Sequence, residues 1–171
     1  MSDWPGDGII PGRVQFMRNL RVYIDASVVY GAPSREFSQD SRRFWEAFRN
    51  GEFIIIVSDV LEEEMERAPQ NIRDRFEMLL KSPIERVVST NESEDLADQY
   101  IAKKVVGESN MDDCQHIALA TIAKADALVS WNFEHMVYRR AGYNDVNDML
   151  GHSKIAIKTP KKFMEASDDE I

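Results

Sequence analysis

Residues 53–69, FIIIVSDVLEEEMERAP, decide the fold. FIIIVS over 53–58 is apolar at every alternate position on both faces, so it reads as a strand buried on both sides rather than a half-exposed one. It runs on into a helix expected at about 60–67, and Pro69 separates that helix from a second at about 71–81. Two-sided burial belongs to parallel sheets, whose strands are joined by helical crossovers.

The same alternation extends in both directions. VYI at 22–24 begins an earlier strand, and 39–49 is an amphipathic helix with Phe44, Trp45 and Phe48 inward. Ser82-Pro83 ends the helix at 71–81, and a strand near 84–89 follows. The next helix, at about 93–106, is expected to close at Gly107, and Ser109–Asp112 resembles a capping box opening another that runs to about Ala125. ALVSW at 127–131 is a further strand, followed by a short helix, a turn-rich stretch GYNDVNDMLG and a last strand KIAI at 154–157. Thr159-Pro160 reads as an N-cap and first helical residue of a final turn. The fold class is therefore α/β, a three-layer α/β/α sandwich on a mainly parallel sheet of about five strands, occupying 20–163. Pro and Gly crowd the first residues, so 1–19 is expected to be an irregular arm. Residues 164–171 form an acidic tail ending in SDDEI.

At 171 residues and 43% hydrophobic, the chain is long enough for one domain with a real core. No apolar run approaches the length of a bilayer span. No N-terminal stretch pairs a basic with an apolar region, so secretion is not expected. The single cysteine, Cys114, excludes an internal disulfide and a cysteine zinc site, and it suits a reducing cytoplasm. A net charge of −9 argues against broad attraction to nucleic acid. The charge is uneven, however: acids crowd 59–66, while Arg139, Arg140, Lys154, Lys158, Lys161 and Lys162 stand against only two acids in 139–162. That basic stretch is either an ordinary solvated edge or a phosphate track.

Ligands of open α/β sheets bind outside the carboxyl ends of the strands, and four acidic or amide residues stand there: Asp25, Glu64, Asp113 and Asn132. At about 100° per residue, Val60, Leu61, Met65 and Ala68 share one helix face, and Glu64 falls inside that arc while Glu62, Glu63 and Glu66 point away. A carboxylate so placed needs a metal or an ionic partner, or else must reach solvent or an arginine such as Arg42 or Arg43. Asp113 shares the side of Ile117, yet an acid in a first turn also simply complements the helix dipole. Asp25 ends its strand either as an N-cap or as a functional acid oriented by Ser27. A phosphotransfer aspartate would want a second Asp where Ser27 stands. Asn132 is a neutral oxygen donor or a turn residue, and Ser130 precedes it. His116, His135 and His152 lack metal-ligand spacing as a set and are expected at the surface or in helix packing. There is no phosphate loop and no nucleophile elbow.

In this order, IDASVV, VSDVLEEEMERAP, DDCQHIALA and LVSWNFEHM resemble the motifs of the PIN domain family, and more narrowly the VapC-like toxin nucleases of toxin–antitoxin pairs. The resemblance covers about residues 20–163, and IAIKTPKKF is similar to the closing strand and turn of that branch. It implies metal ligands at Asp25, Glu64 and Asp113, with Ser27 and Ser130 as supporting hydroxyls. The fourth position, usually aspartate in active members, is Asn132, which lowers the site charge by one. Implied with these are a Mg²⁺- or Mn²⁺-dependent ribonuclease of the cytoplasm, an RNA substrate, a homodimer and a small basic antitoxin suited to the anionic surface. Arg139, Arg140, Lys158, Lys161 and Lys162 would hold the RNA backbone. The rival reading is a non-catalytic PIN-fold module that binds RNA or protein, with Asn132 weakening its metal site.

Overall fold

The computed structural model describes residues 20–169; the expected arm over 1–19 lies outside the described residues, as do 170–171. Five strands, β1 (Arg21–Ile24), β2 (Ile54–Ser58), β3 (Ile84–Val87), β4 (Ala127–Val129) and β5 (Ile157–Lys158), form one sheet in the order β3-β2-β1-β4-β5. Every neighbouring pair is parallel, so the sheet expected to be mainly parallel is wholly so. The chain builds outward from β1 to β3 and then returns to the other side of β1 to lay down β4. That reversal opens a crevice between the carboxyl ends of β1 and β4.

Eight helices accompany the strands among the described residues: α1 (Ala26–Tyr30), α2 (Ser38–Arg49), α3 (Asp59–Glu66), α4 (Gln70–Leu80), α5 (Asn91–Ala102), α6 (Met111–Ile122), α7 (Arg140–Met149) and α8 (Pro160–Asp169). Alternation along the strands divides the core in two. Val22, Ile24, Ile55, Val57 and Val129 meet α1 to α4 and α8 through Phe44, Phe48, Leu61, Phe76 and Phe163. Tyr23, Ile56 and Leu128 meet α5, α6 and α7 through Leu96, Tyr100, Ile117 and Tyr143. The sandwich therefore has its three expected layers. No helix among the described residues is long and apolar enough to cross a membrane.

Several expected details differ. Ile54 is exposed at the start of β2, so two-sided burial begins only at Ile55. The helix expected to close at Gly107 ends at Ala102, where Lys104 takes the left-handed turn at φ 62°. The capping box is not at Ser109–Asp112, where Asn110 makes no side-chain cap, but at Thr90 and Ser93, each hydroxyl bonded to the other's backbone. GYNDVNDMLG is not a turn-rich stretch but most of α7: Tyr143, Val146 and Asn147 fall on one helical face and are buried. α8 runs to Asp169, past the single turn expected after Thr159-Pro160, and its Phe163 and Met164 are buried. Thr159 does cap it, its hydroxyl accepting from the Lys162 N–H at 3.1 Å.

Candidate functional site

Asp25 leaves β1 with extended backbone and stands at the N-cap position of α1, yet its side chain caps nothing. Its oxygens are taken by two hydroxyls instead. Ser27 Oγ donates to Oδ1 at 2.6 Å, and Ser130 Oγ, just past β4, donates to Oδ2 at 2.7 Å. Each hydroxyl in turn accepts a backbone N–H, Ser27 from Trp131 at 2.8 Å and Ser130 from Asn132 at 2.9 Å. Each N–H occupies one acceptor site of its hydroxyl, while the serine proton is directed at the carboxylate. Asp25 is thus clamped across the β1–β4 crevice, only 5% exposed. Burial lifts its carboxyl above the ordinary aspartate range, opposed by the charge of His116 and by both serine bonds, and reinforced by the charge of Glu64.

Glu64 comes to the site from α3, on the face that helix phase selects. Glu63 is exposed, and Glu62 pairs outward with Arg86. The partner of Glu64 is His116 on α6, with Nε2 to Oε1 at 2.8 Å. The chain of bonds continues from His116 Nδ1 to the Tyr23 hydroxyl at 2.6 Å and from Tyr23 to Ser58 Oγ at 2.7 Å. Ser58 closes the circuit by accepting the Leu61 N–H at 3.1 Å, which caps α3 itself. If Tyr23 donates to Ser58, its oxygen accepts from Nδ1–H and the imidazole carries both protons. Burial opposes that charge, but the Glu64 bond and the charges of Glu64, Asp25 and Asp113 outweigh it and raise His116 above the ordinary histidine range. His116, expected at the surface or in ordinary helix packing, is therefore a buried member of the site. Its position three residues after Asp113 on one helix was the available signal.

Asp113 is half-buried on α6, whereas Asp112 is exposed. Burial raises its carboxyl above the usual range, and so does the charge of Asp25; the charges of His116 and His135 and a hydrogen bond from Asn132 pull the other way. Asn132 acts on two neighbours. Its Oδ1 accepts the His135 N–H at 3.0 Å, and its amide helps to offset the upward shift of the Asp113 carboxyl. The turn role and the site role both hold, but its oxygen is already engaged.

Among the described residues no three His, Cys, Asp or Glu side chains are grouped tightly enough to clasp an ion as they lie, because each carboxylate is turned toward a protein donor. The donor chemistry nevertheless suits a hard cation: all-oxygen carboxylates whose charges bear on one another, with burial opposing their ionisation. Of the basic residues, the Lys158 backbone carbonyl accepts the Ser130 N–H at 3.0 Å, beside the carboxyl end of β4. Arg139 and Arg140 are exposed where α7 begins, and Lys161 and Lys162 in the first turn of α8, Lys162 lying 3.6 Å from Glu165. On the far side of α1, a separate cleft of about 470 Å³ runs between α2 and α4, lined by Trp45, Phe48 and Leu79 with Arg42, Arg49 and Arg75.

The fold is shared with solved VapC structures. VapBC2 from Rickettsia felis, bound to a DNA fragment from its promoter, aligns with a TM-score of 0.52 at 9% identity over 82% of this chain and 98% of that one. VapC20 of Mycobacterium tuberculosis, a sarcin–ricin loop cleaving toxin, gives 0.50 at 10% identity over 79% and 98%. The chain thus has the VapC-like fold that the sequence motifs imply. No family profile and no curated protein matches the sequence.

Proposed function

We propose that this chain is a divalent-metal-dependent ribonuclease of the toxin type, acting on RNA at the crevice between β1 and β4. The observation that carries the reading is Asp25: a buried carboxylate at the sheet's reversal point, clamped by two hydroxyls and electrically coupled to Glu64 on α3 and Asp113 on α6. Structure alone does not need acids there, since each raises the cost of ionising the next. Asp25, Glu64 and Asp113 would hold Mg²⁺ or Mn²⁺, which supplies an activated water and stabilises charge developing on phosphorus. Ser27 and Ser130 keep Asp25 in one rotamer, and Asn132 steadies Asp113. His116, tied through Tyr23 to the cap of α3, fixes where Glu64 stands. Arg139, Arg140, Lys158, Lys161 and Lys162 would position the RNA backbone around the rim.

A small antitoxin, a homodimeric assembly and a cytoplasmic setting belong to the same proposal. The three arginines of the α2–α4 cleft refine the partner: basic overall to suit the anionic surface, it would seat an acidic, apolar segment there. The second reading, a non-catalytic binding module, is favoured by the engaged oxygen of Asn132 and by carboxylates each already paired with a protein donor. An RNA cleavage time course with Mg²⁺ or Mn²⁺, with EDTA, and with Asp25→Asn separates the two. The enzyme reading expects cleavage only by wild type with metal. RNA left intact by wild type supports the module, and equal cutting by Asp25→Asn removes Asp25 from the chemistry.

A further inference from the structure

The segment that carries Ser130 and Asn132 also carries three aromatic rings, Trp131, Phe133 and Tyr138, and Phe37 joins them from the turn before α2. Ring centroids lie 5.1 Å apart for Phe37–Trp131, 5.8 Å for Phe37–Phe133 and 5.7 Å for Phe133–Tyr138. The row is graded: Trp131 is 4% exposed, Phe133 half-buried and Tyr138 69% exposed. Its inner end is tied to the site, because the Trp131 N–H holds the serine hydroxyl that binds Asp25. Core packing accounts for Trp131 but not for Tyr138, which leaves most of its ring in water with no hydroxyl partner among the described residues. Arg139 and Arg140 follow immediately and are exposed. An open aromatic face, adjoining guanidinium groups and an acidic crevice a few residues away form a combination that fits a nucleic-acid strand. Bases stack on such rings whatever their identity, and cations track the phosphates between them.

We propose that Tyr138, backed by Phe133, is a stacking platform for an unpaired nucleobase of the strand whose phosphate the crevice takes. This rests on the nuclease reading and adds to it a base-binding residue. In a duplex both faces of a base are covered by its neighbours, so a paired strand reaches the arginines but not the ring.

The test is fluorescence anisotropy in Ca²⁺ buffer with a labelled single-stranded RNA of mixed sequence. Beside it run its duplex, the matching DNA strand, and an all-abasic phosphodiester of the same length. Stacking is lost on truncation at about 1–3 kcal/mol per base, so Tyr138→Ala should weaken single-stranded RNA binding roughly five- to a hundredfold. Tyr138→Phe, which keeps the ring, should restore it, and duplex and abasic binding should be the same for all three proteins. An equal loss on RNA and on the abasic strand, or no loss on either, overturns the platform while leaving RNA binding intact. Equal or tighter binding of the DNA strand overturns the assignment to RNA. Failure of wild type to bind any single strand removes the platform and the nuclease reading together.

Discussion

In the proposed site Asn132 stands where a fourth carboxylate would complete an all-acid set. Its oxygen secures the turn through the His135 N–H, and its amide favours the ionised form of Asp113. Asn132→Asp keeps the volume and the turn but sets a second carboxylate against Asp113. In EDTA the variant should melt lower than wild type, and Mn²⁺ should raise its melting temperature by more, since a hard cation prefers an anionic oxygen. Differential scanning calorimetry decides this, and an unchanged EDTA melting point would mean that residue 132 does not act on Asp113. Glu64→Gln should cut RNA cleavage by about a hundredfold or more, the scale on which lost electrostatic stabilisation is felt. Glu63→Gln should be neutral, because Glu63 is exposed. Damage from Glu63→Gln with none from Glu64→Gln would put α3 out of phase by one residue. Glu64 was legible because helix phase depends on its own segment alone. His116 was not: its spacing fixes a face, but only the paired strands bring Tyr23 against it.

Elements tell the same story at longer range. Strands and strongly amphipathic helices were legible within a few residues, since their apolar periods are local. α7 was not, because Gly142, Asn144, Asp145, Asn147 and Asp148 all favour turns in isolation. What holds it helical is tertiary. Asn147 is fully buried, accepting from the Tyr100 hydroxyl at 2.5 Å and donating to Thr121 and Asn144, while Asn144 bonds both backbone groups of Ile155. Asn147→Ala strips a buried hydroxyl of its acceptor and should cost about 1–3 kcal/mol in urea unfolding. A cost near zero would mean that α7 is held by Tyr143 and Val146 without the polar network.

At the scale of the whole molecule, the parallel α/β class follows from FIIIVS and the helices around it, but strand order does not. Nothing local distinguishes β4 beside β1 from β4 beside β3, and that choice creates the crevice. The crevice in turn sets the protein's response to pH. Asp25 and Asp113 are held above the unfolded aspartate value of about 3.9, so their contribution to stability is full below that pH and is lost as pH rises through their folded values. His116, raised above about 6.5, likewise stabilises below that value and ceases to do so as pH rises through its own folded value. The metal-free protein should therefore lose stability toward alkaline pH. A bound cation competes with the same protons, so the Mn²⁺-induced rise in melting temperature should be larger at pH 8 than at pH 5. A larger rise at pH 5 would reverse that coupling. The most direct test of the proposed cation site compares wild type with Asp25→Asn/Asp113→Asn in thermal melts, with EDTA and with millimolar Mn²⁺. A clear Mn²⁺-induced rise is expected in wild type and none in the double variant, and equal rises in the two proteins would contradict a shared site.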